Sequence, residues 1–386
     1  MSAPIILPRI MEVGADASCK LPDVLAALGC CRPLIVTDPM MVKLGQAQRL
    51  VDILNARDIS GEVFADTVPE PTAASIVAGV ERLKEGNFDA VVALGGGSPI
   101  DSAKAIAILA RYGGHIREYR FPRQVNEAGL PLIAIPTTAG TGSEVTRFTI
   151  ITDESTDEKL LCGGIGFMPV AALIDYRLTL SLPGRTTADT GIDALTHAIE
   201  AYVSRRANPY SDSQALAAMG FLGPNLRAAY NNGQDEVARE AMMIGATLAG
   251  IAFSNSSVAL VHGMSRPIGA FFHVPHGLSN AMLLPAVTAW SLGSSPTRYA
   301  HCARVIGAAS ASDDDHAAGS KLIAFLESVN RDLSVPTLAE FGVKRSRFDQ
   351  VVVTMAEQAL ASGSPGNNPQ VPGIDEMVEL YRGLWV

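Results

Sequence analysis

FDAVVALGGGSPIDSAKAIAILARYG, residues 88–113, passes from a β-branched apolar run through three consecutive glycines into an amphipathic stretch. A short apolar run that ends in turn residues reads as a buried strand, and the residues after it keep a helical period. Strand, tight turn and helix in that order form the repeating unit of a parallel sheet with crossover helices. Working outward, RPLIVTD (32–38), PLIAIPTT (131–138) and PVAALID (169–175) are further strand-like runs, and AASIVAGVERLKEG (73–86) is a further helix. The alternation predicts a Rossmann-like α/β domain with a parallel sheet.

After Pro183 strand-like runs nearly vanish. GIDALTHAIEAYVS (191–204), SDSQALAAMGFLGPNLRAAY (211–230), the stretch from EVARE to LVHG (236–263), SKLIAFLESVN (320–330) and VVVTMAEQALAS (351–362) all read as helix. We therefore expect an α/β domain over 1–180 and an all-α domain over 181–386, without internal repeats.

Composition excludes some functions. A net charge of −9 with no basic run argues against nucleic-acid binding, which needs concentrated Lys and Arg. Five cysteines without CxxC spacing suit a reducing compartment. MSAPIILPRIMEVGADASCK has no basic run followed by a long apolar one, so we expect no secretory leader and a cytoplasmic protein. Ala241 to Val261 spans 21 residues without a charged side chain, yet its centre, FSNSSV, is polar. We read it as buried helix rather than as a membrane span.

The run of three glycines leaves backbone N–H groups bare where a helix dipole favours an anion, so the loop suits a pyrophosphate. Ser98-Pro99-Ile100-Asp101 reads as a capping box, with Asp101 bonding back to the Ser98 N–H. A plain tight turn is the alternative account, since the loop is not GxGxxG. PTTAGTGSEVT (136–146) also follows a strand and brings Thr137, Thr138, Thr141 and Ser143 to the same sheet edge. Asp38, closing LIVTD, can accept from a ribose 2′-hydroxyl and would repel a 2′-phosphate, which predicts NAD over NADP. A turn-capping aspartate is the ordinary alternative.

Asp193 and His197 are i and i+4 on a predicted helix, so one cation can reach both. Alone, such a pair is ordinary surface chemistry. VHGMSRPIGAFFHVPHG (261–277) adds His262, His273 and His276 in an apolar setting, where an unpaired imidazole is costly. His262 ends the charge-free stretch, and His276 follows a proline in an expected loop. One Asp and three His make a mixed O/N site that does not separate Fe(II) from Zn(II). His273 is equally a packing residue.

These motifs, in this order, resemble the iron-containing (group III) alcohol dehydrogenase family over nearly the whole chain. The resemblance implies an α/β nucleotide domain, an all-helical metal domain and a homodimer. It implies Fe(II) on Asp193, His197, His262 and His276, pyrophosphate on Gly96, Gly97 and Ser98, and cofactor along Thr137, Thr138 and Thr141. Asp38 matches the NAD-favouring position, Lys159 in DEKLL a lysine that reaches the ribose, and Asp101 a loop brace near the nicotinamide side. The activity implied is hydride transfer between NAD and a small primary alcohol or aldehyde, with the metal as Lewis acid. One position departs: relatives often carry HGMxHP, and Arg266 stands where that second His would be. Arginine cannot relay a proton at neutral pH, which leaves His273 or water for that role. Arg266 and Arg147 are candidates for an anionic substrate group; pairing with cofactor phosphates or protein carboxylates is the ordinary account. Three further readings remain: a reductase of acidic, semialdehyde-type carbonyls, a zinc-dependent lyase like dehydroquinate synthase, and a non-catalytic nucleotide binder.

Overall fold

The computed structural model describes residues 3–156 and 158–385. The chain divides into two compact units, Ile6–Leu180 and Ser181 onward, the latter taking in the first few residues.

The first unit holds a six-stranded sheet in the order β1-β8-β5-β4-β2-β3. Its strands are β1 (Ile10–Val13), β2 (Pro33–Val36), β3 (Glu62–Phe64), β4 (Ala90–Gly95), β5 (Leu132–Pro136) and β8 (Ala171–Ile174), with every pairing parallel. PLIV, AVVALG, LIAIP and AALI are buried at every position, as strands covered on both faces must be. Their side chains alternate. Leu34, Val36, Val91, Ala93, Leu132 and Ala134 join one core with α4 (Ala73–Glu85) and α5 (Gly97–Tyr112). Ile35, Val92, Leu94, Ile133 and Ile135 join the other with α1 (Leu21–Leu28) and α3 (Gln46–Asn55). Short α2 (Pro39–Lys43) follows β2. Two features escaped the sequence reading: the edge strands β1 and β3, and an antiparallel hairpin of β6 (Phe148–Asp153) with β7 (Glu158–Gly163).

The capping box at Ser98 does not form. Helix α5 begins two residues earlier than that box requires, with Gly96 as its N-cap and no side-chain cap. Asp101 is drawn instead to donors of the second loop and the hairpin: Ser143 Oγ donates to it at 2.6 Å and Ile150 N at 2.9 Å.

The second unit is helical among its described residues: α6 (Gly184–Val203), α7 (Pro209–Asn231), α8 (Glu236–Ser254), α9 (Leu260–Phe272), α10 (His276–Ser291), α11 (Pro296–Ile306), α12 (Asp315–Asp332), α13 (Arg345–Ala361) and α14 (Ile374–Gly383). The stretch 236–263, expected as one helix, is two. Asn255 Nδ2 and Ser256 Oγ donate to the carbonyls of Ile251 and Ala252, so polar side chains close α8 where FSNSSV begins. Among the described residues α8 is the one helix long and apolar enough to cross a membrane by length and composition, and 67% of that window is buried within the fold. His276, expected in a loop, is the first residue of α10, after Pro275 as N-cap.

Candidate metal centre and nucleotide loops

In the α/β unit the two glycine-containing loops press against each other. A Cβ on Gly96 would lie 3.2 Å from Thr138 Oγ1, and one on Gly97 would lie 3.0 Å from Thr141 Cγ2. The Thr137 N–H donates to the Gly95 carbonyl at 3.0 Å, which holds the strand ends together. Asp38 does cap α2, accepting from Met41 N through Oδ1 at 2.9 Å, while its Oδ2 faces Gly95. Both accounts of Asp38 therefore have an oxygen available. Lys159 Nζ donates to Glu70 Oε1 at 2.8 Å, and the Glu70 N–H donates to Ser98 Oγ at 3.3 Å. Arg147 lies with its guanidinium 5.6 Å from the centre of the Phe148 ring.

Beneath the loops sits a residue the sequence reading passed over. Lys104 on α5 is 0% exposed, and its Nζ donates to Ser143 Oγ at 2.9 Å, Thr146 Oγ1 at 3.0 Å and the Phe148 carbonyl at 2.7 Å. Asp101 Oδ1 lies 4.0 Å away. Burial pulls the Lys104 pKa down to about 8, against the attraction of Asp101 and Glu144. Burial likewise raises the Asp101 carboxyl, against Lys104 and its hydrogen bonds. One ammonium thus ties the helix of the first loop to the end of the second and the start of β6.

In the helical unit α6 is buried all round from Gly191 to Val203, because it runs through the middle of the bundle rather than along its surface. That removes the surface-pair account of Asp193, which is 2% exposed. Asp193 Oδ1 lies 3.4 Å from His262 Nε2, 3.8 Å from His276 Nε2 and 3.9 Å from His197 Nδ1. Asp193, His262 and His276 offer ligand atoms all within 4.8 Å of one another. His197 stands beside this trio, its ring stacked between Phe253 at 4.3 Å and His262 at 4.4 Å. His273 does not join it: it is the exposed C-cap of α9, in the left-handed region at φ 56°. Arg266 lies on α9 one turn after His262 and is half-buried.

Three supporting residues were missed. Glu200 accepts from Ala259 N at 2.8 Å, Val261 N at 2.6 Å and His262 Nδ1 at 2.6 Å. It thereby anchors the start of α9 and leaves His262 Nε2 facing Asp193. Its spacing was the available signal, since Asp193, His197 and Glu200 are i, i+4 and i+7 on one helix. Asn280 Nδ2 donates to Asp193 Oδ1 at 2.7 Å and lies 3.2 Å from Nε2 of both His262 and His276. Ser265 Oγ contacts His276 Nδ1 at 3.2 Å and Ser279 Oγ at 2.6 Å, which orients that ring.

The charges are strongly coupled. Burial pushes the Asp193 carboxyl upward, but the imidazoles of His197, His262 and His276 hold it well below the usual carboxylate range. Burial works against a proton on His262, yet Glu200 and Asp193 raise its pKa to about 9. The His276 imidazole is held low by desolvation first, then by His262, His197 and Arg266; 46% of its side chain is nevertheless open to solvent, with Nε2 turned toward the cluster. A buried carboxylate facing three imidazoles is a donor set that fits a divalent transition metal.

Glu200→Gln is expected to weaken metal binding by about 10–100-fold, because a carboxylate behind a ligating imidazole sets its orientation and basicity. Titration of the metal-free variant with Fe(II) under anaerobic conditions measures this. Unchanged affinity would deny Glu200 any part in the centre.

A parallel sheet with glycine loops at its strand ends, and a helical unit with a carboxylate–imidazole cluster, are the marks of a nucleotide- and metal-binding enzyme. The iron-containing alcohol dehydrogenase family matches residues 8–176, and the C-terminal part of the Fe-containing alcohol dehydrogenase family matches residues 187–385. The chain belongs to this family. It is 39% identical over 360 residues to long-chain-alcohol dehydrogenase 1 of Geobacillus thermodenitrificans (strain NG80-2), covering 92% of this chain and 91% of that one. It is 39% identical to alcohol dehydrogenase 4 of Saccharomyces cerevisiae (strain ATCC 204508 / S288c), covering 97% of each. The crystal structure of a 1,3-propanediol oxidoreductase superposes with a TM-score of 0.96 at 32% identity, covering 100% of both chains. The family is iron-containing, and zinc finds no support in it.

Proposed function

We propose that this protein is an NAD- and iron-dependent dehydrogenase of small primary alcohols, active in the cytoplasm as a homodimer. The reaction is alcohol + NAD⁺ → aldehyde + NADH + H⁺, and it runs in either direction. The observation that carries the reading is the convergence of buried Asp193 and His262 with solvent-open His276, with His197 stacked alongside. Asp193, His197, His262 and His276 would hold an iron ion, which would supply Lewis acidity toward an alcohol or carbonyl oxygen, and the loops at the start of α5 would hold a nicotinamide cofactor, which would supply the hydride chemistry.

The chain's own residues do the rest. Asp193 supplies the negative charge, and Asn280 Nδ2 fixes its Oδ1. Glu200 and Ser265 set the ring planes of His262 and His276. In the α/β unit the first-turn N–H groups of α5 carry no side-chain cap and are free to hold a phosphate. Asp38 Oδ2 receives a ribose hydroxyl and repels a 2′-phosphate.

Protein stripped of metal and reloaded with Fe(II) under anaerobic conditions is expected to turn over aldehydes with NADH, followed at the nicotinamide absorbance band. NADPH is expected to serve poorly. The absence of turnover over a panel of small alcohols and aldehydes would defeat this reading.

A further inference from the structure

We propose that the natural substrate carries a negatively charged group, a carboxylate or a sulfonate, and that Arg266 receives it. This deepens the dehydrogenase reading and rests on it. Nine of the thirteen residues of α9 are buried, and Arg266 is the only one of the helix with a fixed charge. It is half-buried, and burial presses its pKa down, against the pull of Glu200. Glu200 is engaged with the N–H groups of Ala259, Val261 and His262 and makes no ion pair with Arg266 among the described residues. Among the described residues Arg266 forms no hydrogen bond and no ion pair.

The rest of the helical unit shows how unusual that is. Its other half-buried arginines are Arg185, Arg227, Arg298 and Arg304. Each holds a carboxylate, from Asp189, Asp332, Asp212 and Asp315 respectively, within 2.9 Å. Partial desolvation of a cation is costly unless polar groups compensate it. In the helical unit even the buried Arg239 is held by the Gly233 and Leu182 carbonyls and Thr187 Oγ1, whereas Arg266 has neither a carboxylate nor a neutral acceptor among the described residues. The missing anion therefore comes from a ligand. Position says which ligand: Arg266 is one helical turn from His262, and its charge is felt at His276. That turn of the helix, four residues along α9 from His262, lies where the far end of a small molecule would fall if its reacting oxygen sat among Asp193, His262 and His276. A guanidinium offers a planar fork to a carboxylate or sulfonate, which a neutral alcohol cannot use.

The test compares wild type, Arg266→Gln and Arg266→Lys, each loaded with Fe(II), using NADH with succinic semialdehyde, sulfoacetaldehyde and uncharged butanal. Wild type is expected to favour the charged aldehydes. Arg266→Gln is expected to lose about 10–100-fold in kcat/KM on them, as removal of a charge-assisted pair implies, and about twofold or less on butanal. Arg266→Lys keeps the charge without the fork and falls between. A second readout needs no turnover: methanesulfonate is expected to raise the thermal midpoint of wild type and not of Arg266→Gln. Equal losses on charged and neutral aldehydes overturn the proposal, as does a parallel loss of NADH affinity, which would give Arg266 to the cofactor. Turnover of butanal without preference for the charged aldehydes also overturns it and leaves the dehydrogenase reading standing. If no aldehyde is reduced, that reading fails, and methanesulfonate binding alone decides whether Arg266 is an anion site.

Discussion

Asp193→Asn is expected to lose its metal on gel filtration and to lower aldehyde reduction by about 10³-fold or more, the scale of several kcal/mol of lost transition-state stabilisation. The substitution is nearly isosteric, but it removes the one carboxylate that faces His197, His262 and His276. A pH dependence accompanies it. The His262 pKa is raised from 6.5 to about 9 in the metal-free protein. Its charged form therefore stabilises that protein fully below 6.5, and the contribution is lost as pH rises through about 9. Metal must displace the same proton, so Fe(II) affinity of the wild type is expected to climb across this window. Metal content by mass spectrometry and an affinity titration at several pH values measure both. A variant that keeps stoichiometric iron and near-normal turnover removes Asp193 from the centre.

Lys104→Met is expected to destabilise the protein by about 3–5 kcal/mol, the cost of breaking a buried charged pair from one side. For a unit of this size that lowers the thermal midpoint by roughly 6–20 °C. The loss has two parts: three hydroxyl or carbonyl acceptors lose their donor, and the Asp101 carboxylate loses its nearest cation. Adding Asp101→Asn is expected to restore much of it, since replacing both members of a buried pair is far milder than removing one. Wild type should also gain stability as pH rises from about 8 toward 10.5, because the unfolded chain holds the Lys104 proton more tightly there. The Met variant lacks that gain. Strictly additive losses in the double variant would show that Lys104 and Asp101 act separately.

Different parts of this molecule were unequally readable. Strands β2, β4, β5 and β8 are continuous apolar runs because both faces of the sheet are covered, and such runs stand out in any window. Glu62–Phe64 did not stand out, since an edge strand buries little and EVF has one buried residue. The β6–β7 hairpin was hidden for another reason: FTIITD alternates in burial, but it follows the SEVTR turn directly, without a break in composition. Asp193, His262 and His276 announced themselves as polar groups in apolar surroundings. Lys104 and Glu200 did not. Each sits on a helix where a charged residue is expected to face solvent, and only tertiary packing turns it inward.

The carboxylate of Glu200 holds two backbone N–H groups at the start of α9 and one imidazole N–H at once. All three bonds join groups of the protein itself, so the place of the His262 ring is set by the packing of α6 against the start of α9. On the proposed reading, loading an ion there requires little reordering of the chain. Such a centre should behave as a socket: iron lost to a chelator or to oxidation can be replaced in folded protein, without a passage through the unfolded state.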